Sequence, residues 1–192
     1  MLKSIKSRLS NFASNTKGNI TLEAVIFVPF LLTLLTATFS YFDAFRFKTL
    51  NTKAAYTVSD ALSRQTDAVT AEFLDGMVET MKFLTRSENQ YSLRVTTVQF
   101  DADENKHLIK WSEGRGKFIG MGESELTTLV NQLPKMLDNE TVIVVETHTS
   151  YAPPFVTSGF VTDDLFYNFT VARPRFAPQL IWADTLDAEG AV

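Results

Sequence analysis

Between Ala24 and Phe42 the chain reads AVIFVPFLLTLLTATFSYF, 19 residues without a charge. As a helix rising about 1.5 Å per residue, this run is roughly 28 Å long, close to the thickness of a bilayer's hydrocarbon core. A buried core helix would carry polar residues along one face. Here the polarity is confined to small hydroxyls at Thr33, Thr36, Thr38 and Ser40 and to the terminal Tyr41. An ordinary cleaved secretory signal would end in a small-x-small site after a shorter apolar core. The one candidate, Thr36-Ala37-Thr38, lies inside the run. The segment therefore predicts a membrane-spanning helix.

The charges on either side orient it. Residues 1–18 carry Lys3, Lys6, Arg8 and Lys17 and no acid, so they hold +4 of a chain whose total is −4 and leave −8 for residues 19–192. A basic head stays on the cytoplasmic side, and Tyr41 and Phe42 place aromatics at the far interface. The bulk of the chain is expected to be exported. Its acidic balance lacks the electrostatic footprint of a nucleic-acid binder. With no cysteine, the chain can form no disulfide, thiolate zinc site, iron–sulfur cluster or cysteine nucleophile.

Two residues fit a plain anchor poorly. Pro29 removes a backbone donor and is expected to leave the carbonyl of Val25 unpaired and kink the helix, unless a neighbouring helix or a Thr hydroxyl satisfies it. Glu23 stands at the mouth of the apolar run, and a carboxylate carried to the bilayer centre costs about 2.5–3.5 kcal/mol on insertion scales. Held in the headgroups, it would be an ordinary interfacial charge.

Read together, residues 17–29 are KGNITLEAVIFVP: a basic residue, a glycine, four residues, a glutamate, then an apolar stretch broken by proline. This resembles the type III signal of bacterial prepilins, and within them the TadE/TadG-like family of Tad (Flp, type IVc) pilus assembly. The resemblance covers residues 12–60. It departs from the usual pattern in Ala24, where phenylalanine commonly follows the glutamate, and in the polar Asn19 and Thr21. The D-x-S-x-S metal string of larger relatives is absent, which points to the short TadE-like branch. The resemblance implies that a prepilin peptidase reads Lys17, Gly18 and Asn19, cuts after Gly18 and leaves Asn19 as the mature terminus. Glu23 would then lie one helical turn from the new ammonium, its own or a neighbour's, and register the helices by neutralising it. The implied partners are the membrane, the peptidase and other pilin-like or Tad assembly subunits. The implied location is the bacterial inner membrane, single pass, with a periplasmic domain and with entry into the pilus left open. A reading in which Gly18 and Glu23 are coincidental, and the chain is an unprocessed single-pass anchor for a periplasmic scaffold or binding domain, stays open beside it.

The remaining pattern predicts an α+β fold. Phe42, Phe45, Leu50, Ala54, Val58, Ala61 and Leu62 recur near helical spacing, and no Gly or Pro occurs from 30 to 75, so one helix is expected from about Ile20 to Arg64. Two helices meeting near 41–45 are the alternative. Val69, Phe73, Met77, Met81 and Leu84 mark a helix over about 68–86, and Leu126, Leu129, Val130 and Leu133 mark another, ended by Pro134. Strands are expected at 91–100, at 107–111 after a polar turn, at 142–151 and, from its alternation, at 165–171. This gives a small antiparallel sheet of four or five strands packed with two or three helices. The organisation is a basic leader at 1–18, a spanning and projecting helix at 19–64, a periplasmic domain at 65–183 and a tail at 184–192.

Other constellations yield no chemistry. Asp101-x-Asp103-x-Asn105 opens like a calcium loop, but Lys106 and Ser112 occupy the positions that need Gly and Glu, so a polar turn is expected. GRGKFIGMG lacks the Ser or Thr and the strand–loop–helix setting of a phosphate loop. His107 and His148, the only histidines, fall on expected strands as structural residues. No catalytic, metal or cofactor site is expected; an exported enzyme ranks behind both membrane readings.

Overall fold

A computed structural model of the chain describes residues 7, 8, 10, 11, 14, 19–86, 89–151 and 163–183. Helix α1 (Asn19–Ser63) is one unbroken element of 45 residues, about 68 Å long at about 1.5 Å per residue. The two-helix alternative is not realised. Its last turn tightens through bonds from Arg64 N to Ala61 O and from Gln65 N to Leu62 O, both 3.2 Å, and Arg175 N donates to Ser63 O at 2.8 Å. These bonds satisfy carbonyls that a helix end leaves open.

Helix α2 (Ala71–Thr85) begins where Thr70 Oγ1 accepts from Phe73 N at 3.2 Å. It ends at Arg86, which adopts a left-handed conformation (φ 52°). Four strands follow, β1 (Tyr91–Asp101), β2 (Lys106–Arg115), β3 (Thr141–Thr149) and β4 (Tyr167–Ala172), with helix α3 (Glu123–Leu129) between β2 and β3. They form one antiparallel sheet in the order β2-β1-β3-β4. The α+β class expected from the pattern is what the chain adopts.

The sheet is covered on both faces. On one, Leu93, Val95, Ile143 and Val145 pack against Ala54, Val58 and Leu62 of α1 and against Leu74 and Met81 of α2. On the other, Val98, Val142 and Val144 meet Met121 and Leu126 of α3 and its lead-in. Along β1 and β3 alternation sends odd residues to the first face and even residues to the second, while in β4 the odd residues Phe169 and Val171 join the second. In β2 the pairing shifts so that Thr97 faces Trp111 and Val98 faces Ile109. The extra residue, Lys110, is a bulge that turns two odd-numbered side chains to opposite faces. Trp111 consequently joins Trp182 in the first core, ring centroids 5.5 Å apart, and its Nε1 donates to Leu180 O at 2.7 Å.

Three expectations need correction. Phe42 and Phe45 lie outside the buried stripe of α1, being 70 % and 58 % exposed, while Ser40, Ala44, Asn51, Ala54, Ala55 and Val58 are buried. Small residues let the sheet approach the helix backbone, which phenylalanines would hold off. The third helix stops at Leu129 and tightens into a 3₁₀ turn over Val130–Gln132. Finally, the strand expected from 165 begins only at Tyr167, because Asp163–Phe166 is a 3₁₀ turn. That turn sets the Phe166 ring against Phe47 and Tyr151, with centroids 5.5 and 5.0 Å away.

Candidate functional site

The first half of α1 stands clear of the domain. Large apolar side chains from Ile20 to Leu35 are all more than half exposed. By length and composition this part of the helix can cross a membrane, and none of its most apolar stretch is buried.

Of the residues expected to form the processing site, Lys17 and Gly18 lie outside the described residues. Asn19, the residue that cleavage after Gly18 would expose, is the first described residue of α1. Glu23 is exposed one turn later, and no described residue pairs with it. Pro29 sits inside the helix, which continues through it. Thr33 Oγ1 donates to the carbonyl of Pro29 itself at 2.8 Å, Thr36 Oγ1 to Leu32 O at 3.0 Å, and Thr38 Oγ1 to Leu34 O at 2.8 Å. The hydroxyls of this apolar stretch thus cap carbonyls of their own helix.

Where the bare half of α1 meets the domain, a polar and aromatic cluster fixes the helix. Asp43 Oδ2 accepts from Tyr151 Oη at 2.7 Å. Burial first, and then this bond to a carboxylate, hold the Tyr151 phenol above its ordinary range. Lys48 Nζ donates to Tyr167 O at 2.9 Å and to Asn168 Oδ1 at 3.0 Å, and Thr52 Oγ1 donates to the same Oδ1 at 2.9 Å. Residues four apart on α1 therefore grip one side chain of β4.

Sequence reasoning missed a second cluster, on the far face of the sheet. Arg94 of β1 and Glu146 of β3 are 4 % and 2 % exposed and directly opposite in register. Arg94 Nε and Nη2 donate to Glu146 at 2.7 and 2.9 Å, while Nη1 and Nη2 donate to Glu125 of α3 at 2.9 and 2.5 Å. Tyr167 Oη donates to Glu146 Oε1 at 2.6 Å, and the guanidinium lies 5.2 Å from the Phe118 ring centroid. Burial opposes the charge on Arg94, yet bonds to both carboxylates outweigh it and hold the group above the usual arginine value. Burial, followed by the bond to Glu146, likewise raises the Tyr167 phenol. A lone Arg and a lone Glu in two β-branched strands were the legible signal. Both donors and acceptors are engaged with one another, so the arrangement ties β1, β3, β4 and α3 together.

The remaining candidates resolve into local structure. Asp101 Oδ1 accepts from Asp103 N at 2.9 Å and Glu104 N at 3.2 Å, which closes the polar turn. Gly116 has φ +72°, and a Cβ there would lie 2.7 Å from Ser92 Oγ, so the glycine-rich segment hugs the sheet as a turn. His107 pairs with Phe100 and His148 with Ser92, eight positions apart on β1, or roughly 26 Å at about 3.3 Å per residue. They share no site. A groove of about 740 Å³ between α1 and β4 is lined by Asp60, Arg173 and Arg175, but Arg175 is paired with Asp60 and Arg173 with Glu140. Among the described residues no group of three His, Asp or Glu side chains is placed to hold a metal.

His107, its ring tilted 48° against Phe100 with centroids 4.9 Å apart, has its pKa lowered by burial from an ordinary 6.5. The unfolded chain therefore takes up this proton at higher pH than the fold does. Its contribution to stability is complete above 6.5 and is lost as pH falls through the folded value. Unfolding midpoints measured from pH 8 to pH 5 should fall, and His107→Gln should flatten that fall.

No family model, curated protein or solved structure matches the chain.

Proposed function

We propose that this chain is a non-catalytic, prepilin-like membrane protein of the TadE type that takes part in assembling a Tad pilus. The observation that carries the reading is the division of α1: an apolar half, bare of domain, runs without a break into a half that forms part of a folded core. A rod of this kind can hold a domain outside the membrane while its other end offers an apolar surface to neighbouring helices. In bilayers such helices associate by packing rather than by a hydrophobic drive, and the inward bonding of the Thr hydroxyls leaves packing as the main term. Lys17 and Gly18 present the peptidase site, and Glu23, without a partner among the described residues, is available to the new ammonium of Asn19 on its own or an adjacent subunit. The domain projects into the periplasm.

Two substitutions test this. Gly18→Leu should block processing and leave a product heavier by residues 1–18 on a gel. Glu23→Gln should leave membrane insertion intact and reduce pilus formation. Unchanged mass in the first variant, or normal pili in the second, would favour the unprocessed anchor.

A further inference from the structure

The charge-free run ends at Phe42, but burial of α1 begins before that point, at Ser40, which is 3 % exposed, and continues just beyond it at the fully buried Ala44. No stalk separates span from domain. On the open side of the helix the apolar surface continues further, because Phe42 and Phe45 are exposed while Asp43 turns inward to Tyr151. The first charge on that side is Arg46, whose side chain is 65 % exposed and only 3.7 Å from Asp43 at its closest.

Measured on the open face, the apolar surface therefore reaches from Ala24 to Phe45, about 33 Å at about 1.5 Å per residue, which still fits a bilayer core. Arg46 follows Phe45 by one residue, or about 1.5 Å, at the inner edge of the roughly 5–8 Å headgroup layer of one leaflet. Its guanidinium matches the geometry of lipid phosphate oxygens, and long cationic side chains reach readily to that level. At the same height on the domain side are Tyr151, bound to Asp43, and its exposed neighbour Ser150.

We infer that the exported domain is seated in the headgroup layer of the membrane that α1 spans, with Phe45 at the hydrocarbon boundary, Arg46 on phospholipid phosphates and the 150–151 corner of the domain among the headgroups. The inference rests on the membrane reading of α1.

The chain has no cysteine, so single introduced cysteines can each carry one nitroxide label. The full chain would be reconstituted into vesicles of phosphatidylcholine and phosphatidylglycerol with labels at Leu31, Phe45, Ser150 or Leu137. Collision with oxygen and with a water-soluble nickel complex then gives the depth of each. Leu137, 77 % exposed, is bonded to Glu140 at the far end of the sheet and serves as the aqueous reference. The expected order is Leu31 deep, Phe45 at the hydrocarbon boundary, Ser150 in the headgroups with an oxygen-to-nickel ratio several-fold above that of Leu137. A deep Leu31 with Ser150 as aqueous as Leu137 overturns the seating and leaves the span intact. An aqueous Leu31 overturns the span itself. Arg46→Glu should shift the Phe45 label toward water, and an unmoved label would remove Arg46 from the contact.

Discussion

Replacing Arg94 with alanine should lower the unfolding free energy of the domain by about 3–5 kcal/mol, the range seen when one partner of a buried ion pair is removed. Glu146 is 2 % exposed, and without Arg94 its carboxylate would keep only the Tyr167 hydroxyl as a partner among those bonds. The loss comes from desolvating an uncompensated charge more than from the attraction removed. The double variant Arg94→Met with Glu146→Leu should therefore recover most of the loss, since apolar replacements of similar size dispense with both desolvation costs. Glu125, 44 % exposed, can turn to water in either variant. Urea unfolding in detergent, followed by the fluorescence of the buried Trp111 and Trp182, reads both effects. Equal destabilisation by the single and double variants would show that shape, rather than charge pairing, governs the site.

Placing arginines at Leu31 and Leu34 should release the chain from membranes. Both side chains lie on the bare half of α1, 62 % and 57 % exposed, where the domain offers no counter-charge. Each arginine near the bilayer centre costs about 2.5–3.5 kcal/mol on insertion scales, so two approach the whole driving force of a single span. Arginines at Ile119 and Leu137, which are more exposed still but belong to the domain, should leave the protein in the membrane fraction. Sedimentation of membranes at high salt distinguishes the pairs. Retention of the Leu31/Leu34 variant would mean that something other than this helix holds the chain there.

The long apolar helix and most of the other elements could be read from residue order because each depends on local pattern. A charge-free run of 19 residues has few ways to fold, and the alternation of Tyr91, Leu93 and Val95 with Ser92, Arg94 and Thr96 admits a strand with two unlike faces. What could not be read depends on register. The bulge at Lys110 that sends Trp111 and Ile109 to opposite cores, and the pairing that sets Arg94 opposite Glu146, join residues far apart in the chain. Periodicity also misplaced Phe42 and Phe45. Their spacing suits a buried stripe, but the sheet needs close approach, and the small Ala44, Ala54 and Ala55 allow it. At the processing site Gly18 and Lys17 lie outside the described residues, so the glycine–glutamate spacing stands on the amino-acid order.

Sequencing the amino terminus of the protein extracted from its native membrane tests the proposal most directly. A chain that begins at Asn19, with Glu23 as its fifth residue, is the predicted result. A chain that keeps Met1 and the basic residues after it would contradict processing and leave a plain membrane anchor in its place.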